Sequence, residues 1–374
     1  GARSRSPASC MLLGGVVPEL GRRPMAFDAA AAVGGGRPDD YVLSPVTHAT
    51  ELQASAPELA ALLTHSRLVE LAGQYKEADA EALAAQQRFR SWVTRANRAV
   101  LATATGSALL MATGLLKNAL GAATQPLLIA LALVSIACGA FASMALYRIK
   151  EGRLLEDWMT ARARAETHRL SYFTAVVDES ADPVDARLEQ LKLEYFRRYQ
   201  LDLEIVFYRK RRSDHRASAE RTLTIAAWSV LVAAVASGAA GILGALATEW
   251  AALGALAVLG TALQSFAAAR EGVGQDRRNA ERYERTLQAL QSLRARLDDV
   301  RAAVAAGSRS VLVEYVAAVQ DQISLEHRQW LAAAESAQAA VGRLEEALKG
   351  AVPRTDGSTS AGRVASRPAE QPGA

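Results

Sequence analysis

The sequence predicts an all-α membrane protein, two transmembrane helical hairpins carrying long cytoplasmic helices, and three observations carry that reading. Four stretches are free of Asp, Glu, Lys and Arg: between Arg98 and Lys117, Lys117 and Arg148, Arg221 and Glu249, and Glu249 and Arg270. Each is long enough, at about 1.5 Å per residue, to cross a hydrocarbon layer about 30 Å thick. Basic residues crowd one end of each stretch, and the remaining long segments repeat apolar residues three and four apart. Buried helices of a soluble bundle are the competing explanation, but such helices carry an occasional charge at their rims and these stretches carry none.

Half of the 374 residues are hydrophobic and the formal charge is only +4, so the placement of charge informs more than its sum. Cys10 and Cys138 cannot build a disulfide framework, and Cys138 falls inside an apolar stretch as a small hydrophobe. Arg3 and Arg5 before the apolar run 11–17 superficially suggest a signal peptide, but the run is short and lacks a convincing cleavage site.

Residues 1–50, rich in Gly, Pro and Arg without a sustained period, are expected to be irregular, a remnant of an upstream domain. Residues 51–178 form a first helix, hairpin and helix unit. Its opening helix, from Pro57 to Arg98, runs into a membrane segment at 99–116; a turn from Lys117 to Pro126 leads to a second segment at 127–147. The next helix keeps a seam of Leu154, Trp158, Ala161, Ala165, His168, Tyr172 and Ala175.

Residues 179–350 repeat the plan. Asp182 and Pro183 are the expected cap and first-turn pair of a helix over 184–220, with Leu188, Leu191, Tyr195 and Tyr199 on one face. Membrane segments follow at 222–246 and 251–269, joined by a turn at Thr248, Glu249 and Trp250. A seam of Tyr283, Leu287, Leu290, Leu293, Leu297, Val300 and Val304 comes next, then a bend at Gly307 and Ser308. A last helix carries Val316, Val319, Ile323 and Trp330, and residues 351–374 have the composition of a disordered tail. Phe141, Ala142 and Ser143 faintly echo Phe266, Ala267 and Ala268 across the duplication.

Arg98, Arg148, Arg209, Arg212, Arg221 and Arg270 stand at the ends of the segments, whereas the two short turns hold only Lys117 and Glu249. Positive residues remain cytoplasmic, which places both turns outside and both termini inside, with Trp92, Tyr147, Trp228 and Trp250 at the interfaces. The basic runs are expected to anchor lipid head groups; no recognition fold or interleaved aromatics supports nucleic acid as a partner.

Catalytic chemistry is hard to find. No Walker-type loop, metal-spaced histidine pair, Cys pair or Gly-flanked serine occurs, and His48, His65, His168, His215 and His327 are scattered, so neither an enzyme nor a cofactor site is expected. The membrane segments carry weakly polar stripes instead: Thr103 and Ser107; Ser135, Gly139 and Ser143; Ser237 and Gly241; Thr261 and Gln264. Small and hydroxylated residues let helices pack closely, and the same faces can line water in an oligomer, with Gln264 the best candidate for lining.

Further residues bear a resemblance. Glu156, Trp158, Arg162, Ala165 and Glu166 follow the first hairpin; Tyr195, Arg197, Arg198, Tyr199, Tyr208 and Arg209 precede the second; Leu312 to Val316, then Leu325, Glu326, His327 and Trp330, come near the end. Over roughly 57–349 this pattern resembles a tandem of SLATT domains, the SMODS and SLOG-associating two-transmembrane effectors. The resemblance implies a prokaryotic inner-membrane effector of anti-phage conflict systems, a homo-oligomer that opens a pore on a nucleotide-type signal and kills or arrests the cell. In that family a nucleotide sensor domain accompanies the hairpins; the first fifty residues are too few for one, so either the chain is a truncated product or the sensor is a separate partner. A non-conducting scaffold that anchors cytoplasmic partners through the helical seams is the alternative, and a transporter is disfavoured because no segment holds an ionisable residue.

Overall fold

Ala, Leu, Glu and Arg, which lose little side-chain freedom in a helix, dominate the chain from residue 57 onward. The computed structural model describes residues 27–117, 121, 124–179, 185–332, 343 and 346, and it contains helices and no strand among them. In order these are α1 Ala29–Val33, α2 Pro45–Leu52, α3 Pro57–Leu63, α4 Ser66–Leu115, α5 Thr124–Glu151 and α6 Leu154–Asp178. They continue as α7 Ala186–Phe196, α8 Asp202–Gly244, α9 Gly254–Gly274, α10 Asp276–Ala295, α11 Leu297–Ala305 and α12 Arg309–Ala332. A π-helical turn, Arg197–Leu201, joins α7 to α8. The stretches Ser66–Leu115, Thr124–Glu151, Ala186–Gly244 and Trp250–Ala305 are long and apolar enough to cross a membrane, and they cover the four expected segments except for 116 and 245–246.

Three expectations change. Residues 27–50 are not irregular: α1, α2 and a 3-10 turn at Pro38–Tyr41 pack onto the large core through Val33, Ala49 and Leu52. Such short helices have little stability of their own, and tertiary packing holds them. The helix expected to start at residue 184 starts at Ala186, with Asp185 as its cap accepting the Arg187 N–H at 2.9 Å; Asp182 and Pro183 lie outside the described residues, as do 1–26, the side chain of Trp330 and the tail at 351–374. The long helix before the first segment breaks between Leu63 and Ser66, after which α4 runs unbroken for 50 residues, about 75 Å.

The apolar seams are the surfaces that bury. Ala161, Ala165, Tyr172 and Ala175 of α6, Leu188, Leu191 and Tyr195 of α7, Leu287 and Leu290 of α10, Leu297, Val300 and Val304 of α11, and Val316, Val319 and Ile323 of α12 are all buried. Most join one cluster, centred on Tyr172, Phe173, Tyr195 and Phe196. Each such ring contributes several kcal/mol at about 25 cal/mol per Å² of apolar surface. A second cluster, including Phe89, Val93, Val100, Ala145 and Ile149, joins α4, α5 and the start of α6.

Among the apolar helices, α4 packs along α5, α8 along α9, and α9 against α4. The contacts run in opposite senses within the first two pairs. Thr103 meets Gly139 and Gly106 meets Ser135; Gly244 meets Ala251 and Gly260 meets Ala233. At Gly260 a Cβ would lie 2.7 Å from the Ser229 carbonyl oxygen, so only glycine permits this approach.

One backbone feature recurs in the two halves of the chain. Among the described residues only Arg153 and Gln275 combine a side chain with positive φ, 47° at each. Arg153 stands between α5 and α6, Gln275 between α9 and α10, and glycine precedes each. Both therefore turn the chain out of an apolar helix through a left-handed residue, a conformation bulky side chains seldom adopt. These breaks define a register three residues away from the echo of Phe141 with Phe266.

Candidate functional site

The two halves share the large core but part along one side. A trough with a volume of about 880 Å³ separates α4 and α6 from α8 and α10, with α12 contributing Ile323, Glu326 and His327 and the end of α9 contributing Phe266 and Arg270. It runs on α4 from Tyr75 to Arg98, about 35 Å. Such a volume is within the range that takes a small organic ligand.

Amphipathic helices explain its walls. The apolar stripes of α4, α6, α8 and α10 go into the two core clusters, the larger of which draws on both halves, and this leaves polar flanks of the four helices lining the trough. Along the trough the charges are matched. Arg162 meets Asp79 at 3.4 Å and Glu166 at 3.5 Å, Arg169 meets Glu204, and Glu326 is met from behind the lining by Arg282 at 3.2 Å. Burial opposes the charge on Arg169, but Glu204 and Glu166 outweigh it and raise its pKa. Burial lifts Glu326 to about 7 against the pull of Arg282, and Tyr208 donates to Glu326 at 3.4 Å.

Two arginines are different. Arg90 lies over the Trp158 ring, 5.8 Å from its centre, and Arg211 over Phe207 at 5.3 Å. Neither has a carboxylate within ion-pair distance among the described residues. Surrounding protein, then the Arg211 charge, push the Arg90 pKa below that of a free guanidinium, against the pull of Tyr283 and Asp276. On the α4–α6 wall, Asn97 Oδ1 and Glu166 Oε1 are buried acceptors without a donor.

Below the trough the π-helical turn grips the N-terminal segment. Arg198 holds Asp40 with two bonds of 2.8 and 2.9 Å and donates to the Val33 carbonyl at 2.7 Å; Arg197 donates to the Gly34 carbonyl at 2.8 Å. His48 Nδ1 bonds the Tyr195 hydroxyl at 2.8 Å and its ring stacks on Tyr199 at 4.0 Å. Several residues of the SLATT-like pattern, Tyr195, Arg197, Arg198 and Tyr199, are thus internal fasteners here.

The stripes in the apolar helices divide into two sets. Thr103, Ser135 and Gly139 are buried between α4 and α5 and Ser107 is half-buried, whereas Ser143, Ser237, Gly241, Thr261 and Gln264 are exposed on the outside of the four-helix assembly. Thr261 satisfies its hydroxyl on the Ala257 carbonyl at 3.0 Å; Gln264 has no hydrogen-bond partner among the described residues. Of the basic residues, Arg98, Arg148, Arg209, Arg221 and Arg270 are exposed, while Arg212 is half-buried against Glu284 at 2.6 Å and ties α8 to α10. Arg90 was legible only as part of a basic run, because its ring partner Trp158 comes from another helix, whereas Arg211 and Phe207 are one turn apart on α8.

Among the described residues no three His, Cys, Asp or Glu side chains converge as a metal site would require. No protein-family model, no curated protein and no solved structure matches the chain.

Proposed function

We propose that this chain is a multi-pass prokaryotic inner-membrane effector that assembles with copies of itself into a gated pore, with both termini in the cytoplasm. The four apolar helices form two membrane hairpins, α4 with α5 and α8 with α9, and the helices around the trough hang beneath them as the regulatory part. The resemblance to tandem SLATT domains favours an anti-phage role, with opening driven by a nucleotide-type signal or a sensor partner and ending in death or arrest of the cell.

The observation that carries the pore reading is the outward placement of Gln264. An amide facing hydrocarbon without a partner costs about 2 kcal/mol or more, and a neighbouring copy or a water-filled lumen removes that cost. Tyr147, Trp228 and Trp250, all exposed near the ends of the apolar stretches, suit the lipid interface. Gating to near completion requires a ligand that favours the open state by about 5.5 kcal/mol.

Reconstitution of the sized oligomer into planar bilayers tests this. Ligand- or partner-dependent conductance, reduced by Gln264→Leu, is the expected result. A sized oligomer that stays electrically silent, together with full dye retention in cells expressing it strongly, overturns the pore in favour of the scaffold.

A further inference from the structure

The last helix, α12, lies across both halves, packed on α6 of the first and on α7, α10 and α11 of the second. Its start is well fastened. Arg309 donates to the Val177 and Asp178 carbonyls at 3.2 and 2.8 Å and pairs with Glu189 of α7 at 3.7 Å. Further along, Tyr315 donates to the Leu293 carbonyl at 3.0 Å, and Gln320 donates to the Leu170 carbonyl at 3.1 Å while accepting from Thr174 at 3.0 Å. Val316, Val319 and Ile323 are buried beneath it, and Ile323 is the last apolar residue of the core among those described.

Beyond Ile323 the hold is of another kind. Glu326 lines the trough with its side chain 12% exposed; it meets Arg282 of α10 at 3.2 Å without a hydrogen bond from the Arg282 Nε–H, and accepts one long bond, 3.4 Å, from Tyr208 of α8. A buried carboxylate keeps its charge when two or three good donors serve it, and a neutral carboxyl needs fewer. The neighbouring cations are already engaged. Arg162 of α6 is shared between Asp79 of α4 and Glu166, Arg169 is taken by Glu204 of α8, and Arg301 of α11 turns to Glu194 of α7. Glu166 and Glu204 therefore oppose a charge on Glu326, while Arg282 and Arg162 favour it. Burial keeps Tyr75, Tyr208 and Tyr283 neutral and lowers the pKa of His327, which follows Glu326 on α12.

We propose that the end of α12, residues 324–332, is a proton-operated latch, seated over the trough while Glu326 is neutral and lifting away when Glu326 is ionised. Lifting uncovers the part of the trough that Ile323, Glu326 and His327 line. A helix end with few buried apolar contacts opens more readily than the core beneath it. Seated, the Glu326 carboxyl titrates at about 7, and lifted into water it returns to about 4.5. The seated state thus holds one more proton between those values, so the balance moves toward lifting as pH rises and levels off above about pH 7. His327 opposes this below about pH 6.5, where the lifted ring takes up a proton that the buried one resists.

Amide hydrogen exchange on the full chain in an uncharged detergent reads the latch, as protection factors over residues 324–329 corrected for the intrinsic pH dependence of exchange. From pH 6.5 to 8 these should fall about fourfold in the parent while those over 314–320 hold. His327→Gln removes the opposing titration and should extend the fall to about fiftyfold between pH 5 and 8. Glu326→Gln, neutral at every pH, should keep 324–329 protected and flat from pH 6.5 upward. Arg282→Gln removes the nearest cation and should move the levelling point to higher pH. A flat profile in both the parent and His327→Gln overturns the proposal, as does a fall that survives in Glu326→Gln or a levelling point that Arg282→Gln leaves in place. A fall shared equally by 314–320 also overturns it, because the whole molecule is then loosening. The readout needs neither membrane nor conductance, so a latch that fails leaves the pore standing and a silent bilayer leaves the latch standing.

Discussion

At the scale of single residues, the Asp40 carboxylate is held by Arg198 from two sides and both are buried. Asp40→Ala removes the two-bond partner of the buried Arg198 and leaves it only the Glu51 carboxylate at 3.6 Å, which costs about 3 kcal/mol, whereas Glu81→Ala, which frees an exposed Arg164, should cost under about 1 kcal/mol. Chemical denaturation of the two variants side by side reads the contrast. Two titrating groups oppose each other. His48, depressed to about 4 by burial, contributes stability above its unfolded pKa near 6.5 that is lost as pH falls from about 6.5 toward 4. Glu326 is raised to about 7, so its neutral form favours the fold at low pH and that stability is lost as pH climbs from about 4.5 to 7. The two slopes nearly cancel in the parent protein. Glu326→Gln should therefore expose the histidine slope: its melting temperature relative to the parent rises between pH 5 and 7.5, and a flat difference would contradict the assignment. The uncharged stretches that define the apolar helices needed only local reading, because exclusion of charge is a property of consecutive residues. Nothing local marks Arg90 apart from Arg88, since its indole partner Trp158 is supplied by the fold, whereas the ring under Arg211 is Phe207, one turn earlier on the same helix, and was legible in the spacing.

Helices present a second set of consequences. A methyl group added at Gly260 would meet the backbone of Ser229, which cannot move aside, whereas one added at Gly106 meets the Ser135 hydroxyl, which can rotate away. Gly260→Ala should thus loosen the α8–α9 pair by about 1–3 kcal/mol and Gly106→Ala by less, as thermal unfolding in detergent would show. The two left-handed breaks are fixed differently. Arg153 is braced by Glu156, while Gln275 is followed by Asp276, which accepts from Ser218 and pairs with His215 at 2.5 Å, so α8 clasps the turn. The seams of α6, α10 and α12 were plain in the spacing of their apolar residues. The N-terminal helices were not, although Ser44 before Pro45 is a start signal, because eight residues or fewer make a helix only when a surface such as the π-helical turn receives them. That turn itself has no signature in composition; it exists where Arg197 and Arg198 must reach Glu194, Asp202 and Asp40 together.

For the molecule as a whole, the exposed set Ser143, Ser237, Gly241, Thr261 and Gln264 sets the pore apart from the scaffold. In the pore reading Gln264→Leu and Ser237→Ala lower unitary conductance; in the scaffold reading they change nothing, and a charge placed at Leu290 in the buried seam abolishes function instead. Single-channel recording on both membrane variants distinguishes the two. The unbroken run of α4 also has a mechanical meaning. Its lower half forms one wall of the trough and its upper half belongs to the apolar assembly, with no hinge between Ser66 and Leu115. A stiff rod about 75 Å long that pivots by about 5° carries its far tip through about 6 Å, more than one turn's rise of a helix. Under the pore reading, amplification of that kind would let an ångström-scale adjustment at the wall of the trough arrive at the far end of α4 as a displacement large enough to pull neighbouring copies away from each other.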